Sequence, residues 1–199
     1  MKKQDWNELK SEPLFTEHIK TLQECSRDDA HEEYMTESQL LAVDFDDVKT
    51  AYTSMLGERN RIAASVDAMS VNISANGEPE VIVFIEFKNG ELKKSEAEKV
   101  HNKVRDSILI FCDITEKTLR YTRQNAEFVL VYNKDINKNR LSENPTPSRD
   151  QFQDWAMEKA KEEPIYFGVD VYSPFFFRAA HTYTEEEFRE YEKQLTSIV

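Results

Sequence analysis

At 199 residues, with 39% hydrophobic and 32% charged side chains, the chain has enough apolar material for one domain with a sizeable core, which excludes a disordered chain. Two cysteines, Cys25 and Cys112, are too few for a disulfide framework or a zinc cluster, and only four glycines and six prolines argue against a many-turned β-sandwich. The net charge of −12 at first argues against a nucleic-acid partner.

Residues 1–45 read as a helical segment of two or three short helices. Leu14, Phe15, Ile19 and Leu22 make an apolar stripe within Leu14–Cys25, and Thr36 with Gln39 resembles a capping box opening Leu40–Val43. His18 and His31 have no second ligand at helical spacing and read as solvated surface histidines. Asp44–Leu56 is predicted as a helix with Asp44 or Asp46 at its positive end, Phe45, Val48, Tyr52 and Met55 on one face, and Gly57 as its stop. Met69, Val71 and Ile73 then alternate with Ala68, Ser70 and Asn72, the pattern of a half-buried strand, and Asn76-Gly77 is a strong hairpin signal.

The return arm of that hairpin is Val81–Lys88. Its five consecutive apolar residues, Val81–Ile85, read as a strand buried on both faces. The strand ends in Glu86 and Lys88, which alternation places on the same side. Burying a carboxylate beside an ammonium costs desolvation free energy. Periodicity alone favours a charged pair running into solvent before Asn89-Gly90; the competing reading is half of a metal site.

Leu92–Thr115 is predicted as a long helix, with Val100, Val104, Ile108 and Phe111 on its buried face, and Phe128–Tyr132 as a third buried strand. Strand, long helix, strand is most simply a crossover joining parallel strands. Residues 133–147 read as a loop, and a C-terminal extension at 148–199 as helix, strand, helix: Ser148–Glu163, Ile165–Tyr172 and a terminal helix capped by Thr184 and Glu187, with Phe188, Tyr191 and Leu195 buried. Pro174–Phe177 reads as core and as the start of a further strand, ending near a turn at Ala180–Thr182. The expected fold is a single mixed α/β (α+β) domain over residues 1–199.

Asp67 opens one hairpin arm, and Glu86 and Lys88 close the other 19 and 21 residues later, so the three converge at one end of the sheet. Two carboxylates can hold a hard divalent cation that keeps several waters, and a neighbouring lysine can orient the attacking water and stabilise charge on a phosphate oxygen. Asp67 shares its parity with Met69, Val71 and Ile73 and must sit at a bend to leave the apolar face.

An acid at a strand start, a hairpin, then acid-x-Lys (Glu86-Phe87-Lys88), followed by a helix and a strand, resembles the PD-(D/E)xK nuclease superfamily, with its restriction-endonuclease-like fold. The resemblance covers roughly residues 46–132, and Val66 stands where proline precedes the first acid. It implies Mg²⁺ or Mn²⁺ on Asp67 and Glu86, Lys88 as the catalytic lysine, Glu58, nine residues before Asp67, as a further metal ligand, and Lys99 or Lys103 as an auxiliary basic residue. It also implies a DNA substrate, with a phage, mobile-element or defence origin.

The charge distribution bears on the partner. Acidic residues outnumber basic ones 13 to 6 over residues 1–50 and 12 to 6 over 141–199, whereas 51–140 carries 13 against 14. No segment is dense in Lys or Arg, so a non-catalytic acidic protein on the same scaffold, binding another protein as an immunity, antitoxin-like or regulatory factor, is the alternative. A homodimer is open under either. With no apolar core of a secretory signal in MKKQDWNELKSE and no run near the roughly 18 apolar residues of a membrane span, a cytoplasmic location and no membrane partner are expected.

Overall fold

The structure, a computed structural model, describes residues 3–28, 30–57, 63–73, 79–141 and 165–197. The N-terminal part alternates short helices with short strands: α1 (Lys3–Lys10), α2 (Pro13–Thr16), β1 (Ile19–Thr21), α3 (Leu22–Cys25), β2 (Arg27–Asp28), β3 (Glu33–Tyr34) and β4 (Leu41–Asp44). Then follow α4 (Phe45–Met55), β5 (Ala68–Ile73), β6 (Pro79–Lys88), α5 (Lys94–Thr115), α6 (Leu119–Asn125), β7 (Ala126–Tyr132), α7 (Lys134–Leu141), α8 (Tyr172–Phe175), β8 (Ala179–Thr184), α9 (Glu185–Tyr191) and β9 (Leu195–Thr196). A mixed sheet of seven strands runs β1-β4-β5-β6-β7-β8, with β9 beside β4 along the same edge of β5.

The interior of this sheet follows the apolar runs. β5 and β6 pair antiparallel with Ala68 opposite Ile85, and β6 and β7 pair parallel with Phe84 opposite Phe128. Both faces of β6 are covered, as its five apolar residues require. On one side Ile82 and Phe84 pack with Val100, Val104, Ile108 and Phe111 of α5; on the other, Val81, Val83, Ile85 and Phe87 join a cluster with Leu22, Phe188 and Tyr191. The tip expected at Asn76-Gly77, like the helix expected at Ser148–Glu163, lies outside the described residues.

Several sequence expectations are corrected. The segment 1–45 is not purely helical: Leu41–Asp44 is a strand, because Ala42 and Val43 enter opposite faces of the sheet and β4 bridges β1 and β5. Thr36 opens no helix; it is buried, donating to a Glu192 carboxylate oxygen and accepting from the Ser38 N–H, both at 3.2 Å. The real capping box here is Thr21 with Glu24, opening α3. His18 is half-buried rather than fully solvated, while His31 is exposed and paired with Asp28. α4 starts at its Asp44 N-cap and stops at Gly57 (φ 75°) as expected, but Met55 is 75% exposed: Phe45, Val48 and Tyr52 meet the core, and the helix ends beyond it. β5 is buried on both sides over Ala68–Val71 rather than half-buried.

Residues 133–147 are not all loop. α7 has little apolar face, and its buried Asn137 supplies the anchor: the side-chain amide donates to the carbonyls of Gly90 and Asn133 and accepts from the Leu92 N–H at 2.8 Å. Residues 165–172 are not a strand, because Phe167 and Gly168 both take left-handed backbone (φ 60° and 70°) and lead into a 3-10 turn at Val169–Val171. The sheet position is taken instead by β8, parallel to β7, where a turn was expected. Its inward residues are Ala180, Thr182 and Thr184, too small and polar to announce a strand. Pro174–Phe177 begins no strand: α8 runs to Phe175, which is exposed, while Phe176 and Phe177 are core. The terminal helix carries its Thr184–Glu187 capping box, with Phe188 and Tyr191 buried; Leu195 is also buried but lies in β9.

Cys25 and Cys112 are free and half-buried, and burial raises both thiol pKa values, so neither is an activated nucleophile. Among the described residues no helix is long and apolar enough to cross a membrane.

Candidate functional site

The site is built where β5 begins and β6 ends. Asp67 sits at a bend just before β5, its N–H donating to the Ile85 carbonyl at 3.1 Å and its carbonyl accepting from the Phe45 N–H at 3.2 Å. Its backbone is thus clamped between β6 and the start of α4. Because Ala68 faces Ile85, Asp67 faces Glu86, and the expected bend lets the carboxylate leave the row of Met69 and Val71. Glu86 is fully buried, on the α5 side of the sheet with Phe84.

Both carboxylates meet one cation, the ammonium of Lys103 from α5. Lys103 Nζ lies 2.9 Å from Asp67 Oδ1, and 2.8 and 3.0 Å from the two oxygens of Glu86. Lys88 Nζ lies 3.0 Å from Glu86 Oε1, and the Phe87 N–H donates to Asp67 Oδ2 at 2.6 Å. Lys103 precedes Val104 of the buried stripe, so its root is fixed while its head reaches the end of β6.

A pocket of about 580 Å³ opens over this group, lined by Asp67, Phe87, Lys88 and Lys103, with Arg27 and Lys93 at its sides. Glu86 lies behind that lining. The loop after β6 forms another wall and is held by side-chain amides: Asn133 donates to Asn89 at 2.8 Å, and Asn89 donates to Glu33 of β3 at 3.2 Å.

Burial pushes the Asp67 carboxyl up to about 7, the Glu86 charge adds to this, and Lys103 and the Phe87 N–H pull it partly back. Burial would lower Lys103, but the Glu86 and Asp67 charges outweigh it and hold the ammonium above its ordinary range. An unfolded aspartate releases its proton near pH 4, whereas folded Asp67 keeps it up to about pH 7. Across that window the folded state binds the extra proton, so the Asp67 contribution to stability falls as pH rises. The stability of Asp67→Asn relative to wild type should therefore climb between pH 4 and 7 and then level off. Urea denaturation at fixed pH values measures this, and a flat difference would rule it out.

Of the residues expected at the site, Asp67, Glu86, Lys88 and Lys103 are brought together. Lys99 is not: it is exposed on α5 and pairs with Glu96 at 2.6 Å, one turn away from where β6 ends. Glu58 lies outside the described residues. A neighbouring ion group was not foreseen. Asp44, beyond capping α4, takes Lys20 at 2.6 Å, and Lys20 also meets Asp47 at 2.9 Å; Asp67 and Arg27 line the pocket beside this group as well. The fit of Asp44 to an N-cap was visible in the sequence, but nothing there pointed to Lys20.

No known protein family, curated protein or solved structure matches the chain. Among the described residues no three or more His, Cys, Asp or Glu side chains form a group that could hold a metal ion. Two carboxylates converging on one point do suit a hard divalent ion that keeps several of its waters, and the Lys103 ammonium marks that point.

Proposed function

We propose that the chain is a metal-dependent nuclease that hydrolyses DNA phosphodiester bonds on a restriction-endonuclease-like core. The observation that carries this reading is the meeting of Asp67 and Glu86 at a single cation, with Lys88 beside them, at the open end of a central strand. The element order supports it: an antiparallel hairpin, a long helix and a parallel strand follow Asp67 in the order of the PD-(D/E)xK pattern.

Asp67 and Glu86 would hold Mg²⁺ or Mn²⁺. The bound ion would supply an acidified water and neutralise charge on the scissile phosphate. Lys88, kept beside Glu86, orients the attacking water and stabilises a phosphate oxygen. Arg27 and Lys93 on the pocket walls attract the flanking backbone phosphates.

The test is cleavage of single- and double-stranded DNA with Mg²⁺ or Mn²⁺ and with EDTA. Wild type is expected to cleave only with metal, and Lys88→Ala to lose about 10²-fold or more of that rate. Equal cleavage by wild type and Lys88→Ala, or none by wild type with either metal, would end this reading.

One observation favours the alternative, a non-catalytic protein-binding factor. Above about pH 7, where Asp67 is ionised, Asp67 and Glu86 are matched by Lys88 and Lys103, so the group is charge-balanced without a metal. Under that reading Mg²⁺ and Mn²⁺ leave the melting temperature unchanged.

A further inference from the structure

We propose that Lys103 is a tethered counter-cation that holds Asp67 and Glu86 in place and must withdraw before a divalent ion can bind. The inference rests on the metal-site reading above and adds what that reading leaves out, a competitor for the ion built into the chain.

Every oxygen of the two carboxylates is already engaged. Three of the four point at Lys103 Nζ within 3.0 Å, and the fourth, Asp67 Oδ2, accepts from the Phe87 N–H. An incoming ion must take oxygens that the ammonium now holds. Two positive charges cannot share so small and dry a point, because their repulsion rises steeply when solvent is excluded.

The carboxylates are the fixed partners. Glu86 stands on a central strand with no solvent exposure, and the Asp67 backbone is pinned from both sides. Lys103 is the movable one: its four-carbon stem is flexible, its side chain is 22% exposed, and it lines the pocket into which it would swing. Among the described residues the Lys88 ammonium is ion-paired with Glu86 and Asp67 is held by Lys103, so departure of Lys88 would not free the shared point. A phosphate entering the pocket would give the displaced ammonium a new partner, which links loading of the ion to arrival of an anionic substrate.

The experiment is calorimetric titration of Mn²⁺ into wild type, Lys103→Met and Lys103→Gln at pH 8, with Lys99→Met as a control for net charge. Melting temperatures are read in EDTA and in Mn²⁺. Both Lys103 variants are expected to bind Mn²⁺ at least about tenfold more tightly than wild type and to melt lower in EDTA, with Mn²⁺ restoring the loss. Lys99→Met should match wild type. If the variants fold only when Mn²⁺ is present, that dependence itself supports the proposal; failure of Mn²⁺ to rescue them overturns it. Equal or weaker binding by the Lys103 variants overturns it while leaving the nuclease reading intact. Tighter binding without DNA cleavage upholds it and sinks the nuclease reading, and no binding by any form removes the metal centre on which both depend.

Discussion

Replacing Glu86 with alanine is expected to destabilise the fold by about 3 kcal/mol, although Glu86 belongs to no apolar cluster. The cause is what remains behind. Glu86 is the one fully buried member of the group, and both Lys88 and Lys103 direct their ammonium groups at it. Removing it leaves two cations, each only about one-fifth exposed, with Asp67 alone to compensate them. The lysine stems can carry part of the charge toward the pocket, which keeps the expected loss at the lower end of what breaking a buried pair costs. Urea denaturation should show the change as a shifted midpoint at constant slope. Adding Lys103→Met to Glu86→Ala should return about 1 kcal/mol or more, because the second change removes one stranded charge. A loss well under 1 kcal/mol for Glu86→Ala would mean that the carboxylate is not desolvated, contrary to its place in the sheet.

A loss of about 4 kcal/mol is expected for Phe84→Ala, two residues earlier on the same face of β6. The Phe84 ring is fully buried and meets three others, Phe45 of α4 at 5.6 Å, Phe111 of α5 at 5.5 Å and Phe177 after α8 at 5.7 Å between centroids. Those rings arrive from three elements, so no single shift can close the space left by truncation. For a chain of this length the loss corresponds to roughly 10 °C in melting temperature. Phe84→Leu keeps most of the volume and should cost much less. A thermal melt within a few degrees of wild type for Phe84→Ala would show that the three elements do not meet at this ring.

These two residues show why the middle of the chain was legible and its ends were not. Val81–Ile85 has no polar interruption, and Val100, Val104, Ile108 and Phe111 repeat at helical spacing, so the central strand and its covering helix follow from period alone. β1, β2, β3 and β9 have two or three residues each, too few for any period to register, and they exist because neighbouring strands accept them. β8 turns threonines inward, and α7 is secured by an asparagine, so neither carries an apolar pattern.

The site was legible to the same degree. Asp67, Glu86 and Lys88 follow from hairpin geometry and strand alternation. Lys99 and Lys103 stand one helical turn apart on the same side of α5, and periodicity cannot separate them. What separates them is the height at which β6 ends against the helix, a tertiary fact. The Asn89–Asn133 link and the Asp44–Lys20 pair likewise join residues 44 and 24 positions apart, where no local signal reaches.

The shared edge of β5 has a kinetic consequence. Val43 and Asp44 cover one end of that edge early in the sequence, but the other end waits for Leu195 and Thr196, more than a hundred residues further along. Closing so long a loop is entropically late, so the hairpin carrying Asp67 and Glu86 forms while Val71 and Asn72 still offer unpaired backbone to any passing strand. β9 is a two-residue seal on that end of the β5 edge, and until it docks the backbone of Val71 and Asn72 is open to pairing with a strand of another copy.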